Sequence, residues 1–291
     1  MKKLVAAVLT GMVNMCLFSQ NVVQPPSVNK TDWWGDIDGF LNQQAKITLD
    51  LASDALKLNP PALQENLTRK MALLMIDNVL HEEKAQFRPA VQSFYKERIE
   101  NAIREISASK VNSGALIWKL YNHTFIIKTP SATIGFDIQR GIPGNEDFAF
   151  SKELIGNLIN VVDILFISHY HNDHADDWVA GAFIAQNKPV ITPPGLWEQL
   201  PLYAAILHPD RSTDKIHDIY LPHKQLNLKV VACPGHQGAD ILNNVYLVFT
   251  PEGMCFTHTG DQSNADDLKW IDKIGDSYHI DVLMMNSWSY F

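Results

Sequence analysis

The chain has 291 residues, of which 46% are apolar, and this composition is typical of a globular protein with a sizeable core. Its formal net charge is −8 and no run of Lys and Arg is visible, so a nucleic-acid backbone is a poor electrostatic partner. The length leaves room for a small second domain beside the main one.

Residues 1–19 have the pattern of a secretory signal peptide. Lys2 and Lys3 give a positive start, and the apolar segment 4–18 is too short to span a bilayer comfortably. We expect cleavage near Ser19/Gln20, which would leave a periplasmic or secreted protein with no stable membrane anchor. Removal of this segment takes away two lysines and no acidic residue, so the net charge falls from −8 to −10. The alternative is a retained membrane anchor.

Residues 32–110 show the periodicity of helices. Apolar side chains recur there at spacings of three and four, and the Pro-Pro pair at 60–61 is typical of a helix start. This stretch has room for about three helices. It carries no catalytic pattern, and a domain boundary is expected just after it, near Gly114. We therefore divide the chain into a signal peptide at 1–19, a helical N-terminal region at 20–110 and a second domain at 111–291.

After Gly114 the pattern changes to strands and helices. Residues 115–141 alternate like a pair of strands joined by a turn at 129–132. Further strands are predicted at 161–167, 188–193, 226–233, 244–250, 253–259 and 280–286, and helices at 152–158, 177–186, 196–207 and 266–274. Strands that alternate with helices and hairpins predict an α/β or α+β fold with sheets in its middle.

The segment FISHYHNDHADD, residues 166–177, places an unusual number of ionisable side chains directly after an apolar strand. His169, His171, Asp173 and His174 form the pattern His-x-His-x-Asp-His, and the end of a buried strand delivers them to one point. Neutral imidazoles suit zinc, and a carboxylate adds charge. The pattern predicts a metal site; the alternative is a solvated loop that happens to be rich in histidine.

These residues resemble the metallo-β-lactamase superfamily, and the resemblance continues downstream in the same order. Asp137 ends the strand-like segment IGFDI, His236 lies in CPGHQG after a strand, and Asp261 lies in THTGDQ after another. The similarity runs from about Gly114 to the end of the sequence. Within the superfamily, the motifs are most similar to those of the lactonase-like branch typified by L-ascorbate-6-phosphate lactonase.

The resemblance implies a sandwich of two mixed β-sheets flanked by helices, preceded here by the helical N-terminal region. It also implies two divalent ions, expected to be zinc, with manganese or iron as substitutes. The first ion would take His169, His171 and His236, and the second would take Asp173, His174 and the bridging Asp261. Asp137 would lie behind these ligands and steady the histidine loop.

One ligand that the resemblance implies has no counterpart in this sequence. The family adds a further histidine to the second ion from a loop after another strand and helix, whereas the last histidine here is His279. We therefore expect the C-terminus to be incomplete, with roughly 40–60 more residues in the downstream reading frame. The same departure leaves open an inactive or non-enzymatic metal-binding relative.

The mechanism that the resemblance implies is metal-assisted hydrolysis. Two divalent ions would share a water and lower its pKa towards 7, and the hydroxide would attack an ester, lactone or related bond of a small molecule. Asp173 could also orient this hydroxide and pass a proton to the leaving group. A phosphodiesterase or nuclease of the same fold is a further alternative, which the mature charge of −10 disfavours.

Other polar residues near the motifs have simpler interpretations. His123 and His258 each lie close in sequence to motif residues, and hydrogen-bonded structural histidines are the favoured interpretation over contact with substrate. Asp176 and Asp177 most simply cap the helix that opens at Trp178.

The first testable prediction concerns export. The mature protein should begin at or near Gln20 and be found outside the cytoplasm, because the positive start and the apolar segment direct it to the secretion machinery. N-terminal sequencing of the product checks this, and a Leu9→Arg variant, which interrupts the apolar segment, should stay unprocessed. A soluble cytoplasmic product that begins at Met1 would contradict the prediction.

Overall fold

The computed structural model describes residues 35–82, 84–141 and 149–285. These form two compact units, of which the first ends at Val91 and the second begins at Gln92. The predicted signal peptide and its cleavage point lie outside the described residues. Within the described ranges, no helix combines the length and the hydropathy needed to cross a membrane.

The first unit is helical, as the sequence predicts. Helix α1 covers Ile37–Leu58, helix α2 covers Leu67–Leu80, and a short 3-10 helix covers Ala85–Phe87. The side chain of Asp36 accepts a hydrogen bond from the backbone of the first turn of α1, and Asn66 does the same for α2.

Helix α3, Pro89–Ala108, begins where the two units divide. The sequence-based boundary at residue 110 falls just after the end of this helix. Ile99, Ala102 and Ile106 on α3 are buried in a hydrophobic cluster of the second unit. The three predicted helices are therefore present, and most of the third belongs to the second compact unit.

Five short strands form the first sheet of the second unit in the order β1-β2-β3-β4-β5. They are β1 Leu116–Lys119, β2 Phe125–Lys128, β3 Thr133–Phe136, β4 Ile164–Phe166 and β5 Val190–Ile191. Helix α4, Lys152–Asn160, connects β3 to β4, and helix α5, Asp177–Ala185, connects β4 to β5. The pairings β3-β4 and β4-β5 are parallel, and the others are antiparallel. The carboxyl ends of β3, β4 and β5 therefore lie at one edge.

The second sheet has the order β10-β9-β8-β7-β6 within the described residues. Its strands are β6 His217–Leu221, β7 Leu226–Gln237, β8 Ile241–Phe249, β9 Cys255–His258 and β10 Val282–Met284. Helix α6, Leu268–Ser277, connects β9 to β10, which pair in parallel, whereas the other pairs are antiparallel. Gly253 has a φ of 87° in the turn between β8 and β9.

The two sheets pack face to face. Phe136 and Phe166 of the first sheet share one fully buried cluster with Tyr246 and Phe256 of the second. Side chains of α3, α4 and α5 cover the outer face of the first sheet, and side chains of α6 cover the outer face of the second. The predicted sandwich of two mixed sheets flanked by helices, after a helical N-terminal region, is confirmed.

Two details differ from the sequence prediction. Residues 115–141 form three strands instead of two, because Asn122 adopts a φ of 50° and reverses the chain between β1 and β2. The helix predicted at 196–207 is wrong, since this segment forms turns and a short 3-10 helix at Pro201–Ala205. Positive φ angles at Gly195 and Trp197 prevent a continuous helix there.

The packing of the sheets generates a stability prediction. Phe166 is fully buried, with its ring centroid 5.2 Å from that of Phe136 and 5.1 Å from that of Tyr246. Phe166→Ala should lower the free energy of unfolding by about 3–5 kcal/mol, measured by urea denaturation, because it leaves a cavity between the sheets. Tyr220→Ala, which removes an aromatic ring that is 53% exposed on β6, should cost about 0.5 kcal/mol or less. Equal effects would contradict this description of the core.

Candidate metal centre

The histidine motif occupies the loop between β4 and α5. Asp176 fixes the far end of this loop, because its carboxylate caps α5 by accepting hydrogen bonds from the backbone N–H groups of Trp178 and Val179. The same carboxylate accepts two hydrogen bonds from the Arg140 guanidinium, at 2.8 and 3.1 Å. The predicted capping role of Asp176 is confirmed, and the loop is held between two ordered elements.

Strand ends bring the other predicted residues to the same place. Asp137 follows β3, His236 lies near the end of β7, and Asp261 follows β9. Gly260 has a φ of 53°, and a Cβ on it would lie 2.5 Å from Cβ of Ser168. Only glycine allows this close approach, which places Asp261 beside the histidine loop.

The two carboxylate oxygens of Asp261 face different histidines. Oδ1 lies 3.3 Å from Nε2 of His174 and 3.6 Å from Nε2 of His123, while Oδ2 lies 3.9 Å from Nε2 of His169. The ligand atoms form two groups, and within each group all atoms lie within 4.8 Å of one another. One group comprises His169, His171 and Asp261, and the other comprises His123, His174 and Asp261. Asp261 belongs to both groups, so its carboxylate can bridge two ions.

The residues fit a divalent metal by distance and by chemistry. Nitrogen and oxygen ligands lie about 2.1 Å from zinc, so two ligands at a tetrahedral angle are about 3.4 Å apart, which is close to the separations around Asp261. Nε2 of His169 and Nε2 of His174 are buried and make no hydrogen bond of normal geometry within the described part of the chain. Buried polar atoms are rarely left in this state, and a metal would satisfy both.

Asp137 aims the imidazole of His174. Its carboxylate is fully buried and accepts hydrogen bonds from the backbone N–H and the hydroxyl of Ser168, at 2.8 and 2.7 Å. Nδ1 of His174 lies 2.8 Å from the same carboxylate, which turns Nε2 towards Asp261. Asp137 has a φ of 46°, a left-handed conformation that Asp tolerates better than most residues.

The electrostatic environment keeps three of the ligand candidates, His123, His169 and Asp261, in a form that can bind a cation. Burial lowers the pKa of His123 and of His169 to about 4, so both imidazoles are neutral at pH 7 and offer a lone pair. Burial opposes the ionisation of Asp261, but the neighbouring histidines more than offset it and lower the pKa of this carboxyl. For His174, burial is likewise offset by the nearby negative charges of Asp137 and Asp261, which raise its pKa to about 10.

His236 lies at the edge of this arrangement and outside both groups of ligand atoms. Its Nδ1 is 3.2 Å from a carboxylate oxygen of Asp267, and its backbone N–H donates to the side chain of Gln262 at 2.8 Å. Gln262 in turn donates to Asp267, also at 2.8 Å. This network fixes the ring and leaves Nε2 for another partner. The assignment of His236 to the first ion stays a prediction.

Asp173 faces both solvent and the centre. Its side chain is 51% exposed, and Oδ2 lies 3.6 Å from Nε2 of His174. The Asn122 amide donates to the backbone carbonyl and to Oδ2 of Asp173, at 3.0 and 3.1 Å. Asp173 is therefore fixed at the mouth of the site, where it can ligate an ion or exchange protons with a bound molecule.

Sequence reasoning missed several residues of the centre. Ser168 connects Asp137 to the histidine loop, Gln237 donates to Oδ2 of Asp261 at 3.0 Å, and Asp267 orients His236. Only the position of Ser168, directly before the motif, offered a local signal. His258 is fully enclosed, stacks on Phe136 and accepts a hydrogen bond from Gly260 N–H, which agrees with its interpretation as a structural histidine.

A cleft of about 360 Å³ opens beside the histidine loop. Tyr170, which lies between two motif histidines, forms one wall together with Trp197. Leu242 and Asp240, from the hairpin after His236, also line the cleft. The lining combines apolar and aromatic side chains with the polar Gln199 and Asp240, and among the residues named above only Tyr170 belongs to the histidine loop.

Several solved structures resemble the fold at low sequence identity. One is "a possible metal-dependent hydrolase" from Veillonella parvula DSM 2008, with 14% identity, a TM-score of 0.41, and 60% of this chain and 70% of that chain covered. Another is CmlA, a diiron β-hydroxylase from Streptomyces venezuelae, with 16% identity, a TM-score of 0.42, and 60% and 35% covered.

A third is the metallo-β-lactamase FIM-1 from Pseudomonas aeruginosa in its mono-zinc form, with 14% identity and a TM-score of 0.33. The match covers 62% of this chain and 90% of that chain. No protein-family model and no curated protein matches the chain. Because these identities and TM-scores are low, the functional proposal rests on the residues of the centre and not on these similarities.

The contacts of Asp137 generate a prediction about metal affinity. Asp137→Asn keeps the side-chain shape but removes the charge that orients His174, so zinc affinity should fall about 10–100-fold in competition with a chromophoric chelator. Asp163→Asn is the matched control, because Asp163 accepts a hydrogen bond from Thr133 N–H at the opposite end of the same two strands. Unchanged affinity in Asp137→Asn would show that this carboxylate does not position a ligand.

Proposed function

We propose that the protein is a metal-dependent hydrolase that acts on a small molecule. The observation that carries the proposal is the position of Asp261, whose two carboxylate oxygens face two separate groups of histidine nitrogens. The centre would hold two divalent ions, zinc in the first place and manganese or iron as substitutes. The predicted signal peptide would place this activity in the periplasm or outside the cell.

The ligand assignment keeps the predicted residues and gives each a role. His169 and His171 would hold one ion, and His174 and Asp173 would hold the other, with Asp261 between them. His236 would join the first ion through the ring nitrogen that Asp267 leaves available. Divalent ions held there would act as Lewis acids and would make water a stronger nucleophile at neutral pH.

Asp173 is the residue best placed to move protons. Its Oδ2 is near the buried His174 ring, yet half of the side chain is exposed to solvent. The two hydrogen bonds from Asn122 keep the carboxylate from rotating away. It would accept the proton of the attacking water and donate it to the leaving group.

The cleft beside the histidine loop supports a small substrate. Its volume of about 360 Å³ suits a molecule of modest size, and Tyr170 and Trp197 offer it flat apolar surfaces. An ester, a lactone or a related bond is the proposed target, in keeping with the resemblance to the lactonase-like branch. The net charge of −8 disfavours polyanions such as nucleic acids.

Metal content and turnover test the proposal together. Purified protein should carry between one and two ions per chain. His169→Ala with His171→Ala should abolish both metal binding and the turnover of a panel of lactones, esters and phosphodiesters, because two of the three imidazoles assigned to the first ion are lost. A His223→Ala and His279→Ala double variant, which removes two exposed histidines, should match the parent protein.

Each outcome of this experiment points to a different function. Unchanged metal content in the first double variant would contradict the assigned site. Metal binding without hydrolysis of any ester or lactone would favour a non-enzymatic metal-binding protein. Turnover confined to phosphodiesters in the same panel would favour the nuclease-like alternative.

A further inference from the structure

We infer that His123, in the turn between β1 and β2, is a ligand of the ion held by His174 and Asp261. The inference rests on the proposed function, because it assigns a residue to the second of the two ions. It changes the role of His123 from a structural histidine to a part of the metal centre.

The ring position matches that of a ligand. Nε2 of His123 lies 3.6 Å from Oδ1 of Asp261, which is too long for a hydrogen bond and close to the separation of two ligands on one ion. Nε2 of His174 lies 3.3 Å from the same oxygen. The three atoms are mutually within 4.8 Å, so a single cation can contact all of them.

The surroundings of the ring leave its nitrogen available. His123 stacks on His174, with ring centroids 4.4 Å apart and an interplanar angle of 26°, and its side chain is 21% exposed. Stacking fixes the plane of the ring without using its nitrogens. Among the described residues, no hydrogen bond from the His123 ring competes with a metal.

The residues on both sides of His123 attach the turn to the centre. Asn122 adopts a φ of 50° and donates its amide to Asp173, while the hydroxyl of Thr124 donates to the backbone carbonyl of Asp137 at 2.7 Å. The bond from Asn122 joins the turn to the histidine loop, and the bond from Thr124 joins the turn to the residue that follows β3. A turn with only a structural role would not need its central side chain aimed at Asp261.

Metal titration tests the assignment without measuring activity. His123→Ala should leave the ion of His169 and His171 intact and weaken the second ion by at least about tenfold, followed by zinc competition and metal analysis after dialysis. His223→Ala is the matched control, because it removes an exposed histidine of the same unit that contacts the backbone of Gln186. Circular dichroism would verify that both variants fold.

A thiol at the same position gives a direct spectroscopic signature. Loading His123→Cys with Co²⁺ should produce a thiolate-to-cobalt charge-transfer band in the near ultraviolet, because the new sulfur would contact the ion. His223→Cys should give no such band. The natural Cys233 and Cys255 are buried in strands of the second sheet and serve as the background in both proteins.

The results separate the inference from the proposed function. Two tightly bound ions in His123→Ala, with no charge-transfer band in His123→Cys, would overturn the inference and leave the hydrolase proposal standing. A parent protein that binds no metal at all would contradict both. Loss of turnover with unchanged metal content in His123→Ala would assign the ring to substrate contact and would also overturn the inference.

Discussion

The buried carboxylate of Asp137 is the constraint on which the centre depends. It lies where β3 ends and has no exposure to solvent, so its charge is tolerable only with strong donors around it. Ser168 supplies two of these donors and His174 lies at hydrogen-bond distance as a third. Because both residues belong to the histidine segment, satisfying one buried charge also fixes the shape of the loop that carries the candidate ligands.

Asp261 adds a second negative charge on the other side of the His174 ring, and the balance of charge then favours a cation. Burial keeps His123 and His169 neutral, with pKa values of about 4, so they do not offset these two carboxylates at pH 7. His174, whose pKa is raised to about 10, contributes only one positive charge between Asp137 and Asp261. Divalent ions among these groups would neutralise the carboxylates and give the buried Nε2 atoms a partner.

A feature could be predicted from the sequence where the residues that indicate it lie close together in the chain. The His-x-His-x-Asp-His pattern is visible because one loop carries it, and a hydrophobic strand directly before it fixes where the loop starts. Asp137, His236 and Asp261 required a resemblance, because nothing local marks them as neighbours. In the fold, the periodicity of the helices and long strands was readable, whereas the extra turn at Asn122 and the turns around Trp197 depend on single residues with positive φ.

His123 and Asp267 were beyond sequence reasoning for a different reason. Each contributes a single side chain to the centre. The distance of that side chain from the centre is set by how strands far apart in the sequence pack together, β1 and β2 in one sheet and β9 in the other. A lone histidine in a turn is more often structural than functional, so the sequence alone favours the structural interpretation. Only the measured separation from Asp261 distinguishes the two interpretations.

A ligand in the β1-β2 turn would also give the metal a structural effect. β1 lies at the edge of the first sheet, paired with β2, and two of its four residues, Leu116 and Ile117, leave large apolar side chains exposed. Edge strands of this kind are weakly held. An ion shared by His123, His174 and Asp261 would join this edge hairpin to the histidine loop and to the second sheet, so that occupancy of the centre and the order of the first strands would rise together.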